Sequence, residues 1–260
     1  MKNNTLSLTL IAVGTFISVH TSAQIKINTK SVSAAEKGFK AATFSDADAA
    51  KLASEAVTWM DAHNPVASAT DPYTVRLNKI FAKHQNEGGL KLNYKVYKVK
   101  DINAFACADG SVRVFSSLMD IMTDDELLGI IGHEIGHVAN KDSRDAVRSV
   151  YKREALTDAA SSQSGVVNAL SESQLGAFAG ALLDSKYSRK QESQADDYSY
   201  DFMKKHNYKV TALASAFNKL ADMEKGATRS KSEKMMSSHP DSAERAAKVL
   251  EKAKKDGLAG

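Results

Sequence analysis

The 260-residue chain predicts an α+β fold, mainly helical, with one small antiparallel β-sheet. Three observations carry that prediction. Apolar residues recur at helical spacing behind acidic caps before residue 85, strict alternation is confined to residues 90–115, and everything after Ser116 returns to the helical period. Charged residues make up 25% and apolar residues 43%, as in ordinary globular domains. The formal charge of +4 comes from lysines spread along the chain, with no basic patch interleaved with aromatics, which argues against nucleic acid as a partner.

Taken in order, residues 1–23 read as a secretory signal peptide. Lys2 gives a positive start, Leu6 to Val19 form an apolar stretch, and Thr21-Ser22-Ala23 places small residues at a cleavage site. The stretch is short beside the roughly 20 residues that span a bilayer. The mature chain is therefore expected to begin near Gln24 in the periplasm, with secretion as the alternative. Cys107 is the single cysteine, which excludes an intramolecular disulfide framework.

Residues 24–70 form an N-terminal helical segment ahead of a single compact domain over 71–260. Ser45 with Asp46 and Asp48 starts a helix that places Leu52, Val57 and Met60 on one face and stops at Asn64-Pro65. A second opens at Asp71-Pro72, cap then proline, and runs through Val75, Ile80 and Phe81 to Gly88-Gly89. His84 falls in its last turn, where the helix dipole rather than a metal accounts for it. Leu90, Leu92, Tyr94 and Val96 alternate with polar residues, a strand pattern, and residues 103–106 and 112–115 flank Asp109-Gly110, a hairpin signal. The stretch from Ala159 to Gly180 reads as a lid-like insertion or as two amphipathic helices. His63 and His206, near helix ends, carry no functional assignment.

His133-Glu134-Ile135-Gly136-His137 brings chemistry into this frame. Thr123 with Glu126 is a capping box, Asp124 and Asp125 add charge to the first turn, and Leu127, Leu128, Ile130, Ile131 and Ile135 bury the helix. Residues four apart share a face, so His133 and His137 can offer two imidazoles to one metal ion, with Glu134 beside it as a base for an attacking water. A catalytic zinc takes a third protein ligand and keeps one position open. Glu192, Cys107 and the distant His239 are the candidates. Glu192 is best placed: its helix runs from about Ser188 to His206, and Asp196, four residues on, shares its face and can accept the second ring N–H of a ligand histidine. A solvated carboxylate in a charged helix is the plain alternative, and the residues alone leave the choice open.

Asn103-Ala104-Phe105-Ala106, the HEIGH helix, residues 188–196 and Ser238-His239-Pro240 followed by Arg245, in that order, resemble the zinc metallopeptidase family of HtpX and the CAAX prenyl proteases. The likeness covers roughly Asp71 to Leu250 and is nearest to the family's exported, single-domain bacterial branch. It implies a zincin-like, mainly helical fold whose small sheet borders the active-site cleft. It further implies one Zn²⁺ per chain on His133, His137 and Glu192, Glu134 as the base, and Asp196 as partner of a ligand histidine, His133 first. The strand of Asn103, Ala104 and Phe105 would pair with extended substrate. His239 matches a family histidine near the site, either bonding the developing oxyanion or plugging the open zinc position; the bland reading is a neighbour of the last helix's cap. Arg245 could position the His239 loop, bind a substrate carboxylate or make a surface ion pair. Cys107-Ala108-Asp109 departs from the apolar residue and glycines that relatives often carry, leaving the local cleft shape open. Neither tetratricopeptide repeats nor flanking membrane helices are expected.

The function so implied is zinc-dependent endopeptidase action in the bacterial cell envelope, on unfolded or misfolded envelope proteins. An assembly factor or holdase with gated, rarely used protease activity is the alternative. A hydrolase using Cys107 as ligand, in the manner of deformylases, is a third. Oligomeric state and peripheral membrane association stay open.

Overall fold

The computed structural model describes residues 44–87, 89–157, 170–225, 235 and 237–259. The expected signal peptide lies outside the described residues, as does the first half of the Ala159–Gly180 stretch, residues 159–169. Helix α1 (Asp46–His63) starts as its sequence dictates: the Ser45 hydroxyl accepts the Asp48 N–H and the Asp48 carboxylate accepts that of Ser45. Its buried face of Leu52, Ala53, Ala56, Val57 and Met60 packs with Tyr97, Cys107, Phe115 and Phe178 in a core beneath the sheet. Helix α1 is thus part of the packing around the sheet.

Helix α2 (Pro72–Phe81) has Asp71 as cap and proline at its first position, but it ends at Phe81, short of the glycines. The expectation of a longer helix is corrected here. Gly89, at φ 75°, instead turns a two-residue hairpin, β1 (Asn86–Glu87) with β2 (Leu90–Lys91). His84 lies beyond the helix end and is buried, its ring bonded to side chains, so the helix dipole does not account for it. Val75, expected on the apolar face, is 56% exposed.

A second correction concerns the main sheet. Strands β3 (Asn93–Tyr97), β4 (Ala104–Ala106) and β5 (Ser111–Phe115) lie in the order β3-β5-β4. The Asp109-Gly110 turn pairs β4 antiparallel to β5, as expected, with Ala106 opposite Val112. Strand β3 pairs parallel to β5 on its other edge, because residues 98–103 carry the chain across before it reverses, so the sheet is mixed. Asp109 closes the turn by accepting the Ser111 N–H and hydroxyl, and a Cβ at Gly110 would overlap the Lys91 carbonyl. Central β5 is buried throughout, including Arg113, whose guanidinium grips Asp61 of α1 at 2.8 and 2.9 Å.

After the short α3 (Ser116–Ile121), the described chain is helical: α4 (Asp124–Ala139), α5 (Asp142–Thr157), α6 (Glu172–Leu183), α7 (Arg189–Lys205), α8 (Thr211–Lys225) and α9 (Ser242–Lys255). The α+β, mainly helical class is therefore observed. Helix α4 is the pillar: every residue from Glu126 to Val138 is buried, with α7, α8, β4 and α5 around it. Its Thr123 and Glu126 form the expected capping box, worth about 1 kcal/mol, and Glu126 also takes Ser215 and Lys219 of α8. No helix among the described residues is long and apolar enough to cross a membrane.

Candidate metal centre

The centre exists because α4 and α7 approach closely. Gly132 and Gly136 present hydrogen where a Cβ would press on Ser199 and Phe202 and on Ala195 and Tyr198 of α7, at 3.0–3.1 Å, and Gly129 does the same against Leu213 of α8. The Ser199 hydroxyl donates to the Gly129 carbonyl at 2.7 Å and locks the crossing. His133 and His137 on α4 therefore meet Glu192 in the first turn of α7, whose Ser188 and Gln191 form another capping box. His239, just before α9, reaches in from the far side.

The donor atoms converge on one point. His133 Nε2 and His137 Nε2 are 3.1 Å apart, each lies 3.5 Å from a Glu192 oxygen, and His239 Nδ1 stands 3.3 Å from His133 Nε2 and 3.0 Å from Glu192 Oε1. Donors about 2.0–2.1 Å from a tetrahedral zinc are themselves about 3.3–3.4 Å apart, so the spacing fits that ion. The other ring nitrogens strengthen the fit. His133 Nδ1 donates to Asp196 Oδ1 at 2.8 Å and His137 Nδ1 to Asp142 Oδ2 at 3.0 Å, leaving both Nε2 lone pairs facing each other in a buried space. A metal ion between them would satisfy both at once. Glu134 adds a further sign: its buried Oε1 has no hydrogen-bond partner and sits 3.6 Å from His239 Nε2.

Arg245 is not a surface ion pair, which corrects one of its expected readings. Its side chain is 6% exposed; Nη1 meets Glu192 Oε2 at 2.7 Å, Nη2 and Nε grip Asp196 at 2.6 and 2.9 Å, and the cation lies 4.1 Å from the Phe217 ring centre. Burial raises the Asp196 carboxyl, but Arg245 and His133 outweigh it and hold it at about 2. Burial opposes charge on Glu192 as well, yet the three histidines hold it far below the carboxylate range. Both groups are therefore anions, held in place by one guanidinium.

A groove on the Glu134 side is flanked by Asn103, Phe105, Ser143, Leu182, Tyr187 and His239. Strand β4 is the sheet's edge, and the backbone groups of Ala104 and Ala106 face away from β5. The Asn103 carboxamide caps the Ala104 N–H at 2.9 Å, and the Ser143 hydroxyl donates to the Ala106 carbonyl at 3.0 Å. The Ala104 carbonyl and Ala106 N–H also point outward. Cys107 is buried but outside the donor cluster, and burial pushes its thiol up, away from a thiolate ligand.

Three contributors escaped the sequence reading. Asp142 holds His137 and itself accepts from Gln191, and Ser143 reaches β4. Asp142 follows the HEIGH helix by one turn, a spacing that signals a partner only once α5 is known to fold back. Tyr187 stacks on His137 with ring centres 3.8 Å apart; its position beside the Ser188 cap was the available signal.

Comparison with known proteins agrees with this geometry. The sequence profile of peptidase family M48 matches residues 74–253. The chain belongs to peptidase family M48. Metalloprotease YcaL of Escherichia coli (strain K12) is 43% identical over 256 residues, 97% of this chain and 98% of the relative. Metalloprotease LoiP of the same organism is 41% identical over 228 residues, covering 87% and 89%. A Vibrio cholerae protein provisionally named a beta-barrel assembly-enhancing protease is 26% identical over 58% of this chain and 33% of its own length. This M48 chain is accordingly a metalloprotease, and its metal is zinc, for which the buried cluster of His133, His137, Glu192 and His239 provides the donors.

Proposed function

We propose that this metalloprotease is an endopeptidase of the bacterial cell envelope that cuts extended segments of unfolded or misfolded proteins. The carrying observation is the Glu134 carboxylate, whose buried Oε1 has no hydrogen-bond partner, on a groove bordered by an edge strand. An extended peptide added to β4 meets the Ala104 carbonyl and Ala106 N–H, and its scissile bond then lies over Glu134. In a folded protein most backbone is already paired, so unfolded chain presents such a strand more readily.

Zinc, when bound by His133, His137 and Glu192, supplies Lewis acidity at the scissile carbonyl and lowers the pKa of water toward 7. Glu134 takes the proton of the attacking water and passes it to the leaving amine. Asp196 and Asp142 fix the ligand imidazoles with Nε2 toward the metal, and Arg245 holds Asp196 and Glu192 together. His239 Nδ1 stands within 3.3 Å of His133 Nε2 and Glu192 Oε1, so with zinc bound it would be able to occupy the position an attacking water needs, and turnover would then require it to withdraw. That gating leaves room for an assembly role in which cleavage is occasional.

The Lys2 to Ala23 pattern and the provisional name of the Vibrio cholerae relative support the envelope setting. Fractionation of the native host together with N-terminal sequencing tests the location: a mature chain starting at Gln24 in the osmotic-shock or membrane fraction is expected, and a full-length cytoplasmic chain overturns it. Cleavage of one substrate in native and unfolded forms tests selectivity, and equal rates would refute it.

A further inference from the structure

Away from the catalytic centre, His84, Glu87 and His206 bring three ligand atoms within 4.8 Å of one another. They come from three places: the turn after α2, strand β1, and the C-terminal cap of α7. Glu87 Oε1 stands 3.3 Å from His84 Nδ1 and 3.0 Å from His206 Nε2. These are close to the donor spacings of the catalytic cluster and to the edge of a zinc tetrahedron, about 3.3–3.4 Å. The ring geometry repeats too: His84 and His206 meet edge to face with centres 4.5 Å apart at 75°, against 4.6 Å and 86° for His133 and His137.

We propose that His84, Glu87 and His206 form a second metal site, which takes one zinc-class divalent ion through two imidazole nitrogens and a carboxylate oxygen. The donor set suits zinc, cobalt or nickel rather than calcium or magnesium. The surroundings are those of a built site. His84 Nε2 lies 2.7 Å from the Tyr208 hydroxyl, which turns Nδ1 toward Glu87, and Tyr94 donates to the His84 carbonyl at 2.8 Å, fixing that residue's backbone. His84 is fully buried while His206 is 25% exposed, so the ion has an entry path and water can complete its shell. Lys205 approaches the other Glu87 oxygen at 3.8 Å, but its side chain is 68% exposed and free to turn into solvent.

The ion would fasten the far end of α7. Glu192 and His206 are fourteen residues apart on that helix, about 21 Å at 1.5 Å per residue, so the two sites are separate. A clamp there joins α7 to β1 and to the end of α2, and stabilises the helix that carries the catalytic Glu192. The alternative is a hydrogen-bonded relay in which the Glu87 carboxylate accepts an N–H from each ring and no ion binds.

Zinc content of the purified full chain, stripped and then dialysed against micromolar zinc, decides between them. Two zinc ions per wild-type chain are expected, one in His206→Gln and one in Glu87→Gln, with casein cleavage by both variants retained. His133→Ala should also hold one, at the site proposed here, and His133→Ala with His206→Gln none. One zinc in the wild type, or two in His206→Gln, would overturn the proposal without touching the catalytic assignment. Thermal unfolding in zinc against chelator adds a second readout: in the His133→Ala background the zinc-dependent rise in Tm should vanish when His206→Gln is added.

Discussion

At the scale of single residues, the centre is a set of buried groups whose donor atoms gather within 4.8 Å of one another, as a metal ion requires. Glu192→Ala is expected to abolish zinc binding at that centre, while Cys107→Ser should keep one zinc there, as metal analysis can check, because the Cys107 thiol lies outside the donor cluster. Asp142→Ala and Asp196→Asn should each weaken zinc affinity by about 10–100-fold, the usual cost of losing the partner of a ligand histidine. A competition titration against a chelator reads that change. His239→Ala should keep zinc and raise casein cleavage several-fold, since it would clear space beside Glu134 and Glu192 for the attacking water; a fall in cleavage would assign His239 to the chemistry instead. Among these roles, the HEIGH pair and its base were legible in the sequence because four-residue spacing on a strongly capped helix leaves little freedom. Asp142 and Tyr187 were not, since their contacts depend on how α5 and the segment before α7 fold back. Arg245 was misjudged for the same reason: local sequence shows a charge but not the two carboxylates that surround it.

At the scale of elements, the glycine face of α4 sets how near α7 can come. Gly136→Ala puts a Cβ 3.0 Å from the Ala195 backbone and should cost roughly 1–3 kcal/mol through forced displacement, visible in denaturant unfolding together with weaker zinc binding. The link between α1 and the sheet is electrostatic. Burial raises the Asp61 carboxyl, yet bonds from Arg113, Lys95 and Tyr97 outweigh it and hold it at about 2, below the usual 3.8. A folded-state pKa depressed in this way stabilises the protein fully above about pH 4 and loses that contribution as pH falls from 4 towards 2. The Tm advantage of wild type over Asp61→Asn should therefore be constant near neutrality and shrink across that window. Helix starts were readable from caps at Ser45, Asp71, Thr123 and Ser188, because each cap is a local hydrogen-bond pattern. The parallel pairing of β3 with β5 was not, because strand direction is decided by the crossing over residues 98–103 and by which edge remains after the hairpin forms.

At the scale of the molecule, one helical pillar carries His133, His137 and the base Glu134, a second helix that closes on its glycines carries Glu192, and an edge strand borders the groove beside the base. Removing zinc from the catalytic centre should lower stability by an amount set by its occupancy, about 4 kcal/mol at a thousand times the dissociation constant, and calorimetry of the His206→Gln variant in zinc and in chelator isolates that contribution. The most direct test of the central claim is zinc content and casein cleavage measured side by side for wild type and Glu134→Gln. The arrangement predicts that Glu134→Gln keeps its catalytic zinc and loses cleavage by about 10²–10⁴-fold, because the base is removed while the ligands stay. Cleavage by Glu134→Gln at the wild-type rate, with zinc bound, would contradict it.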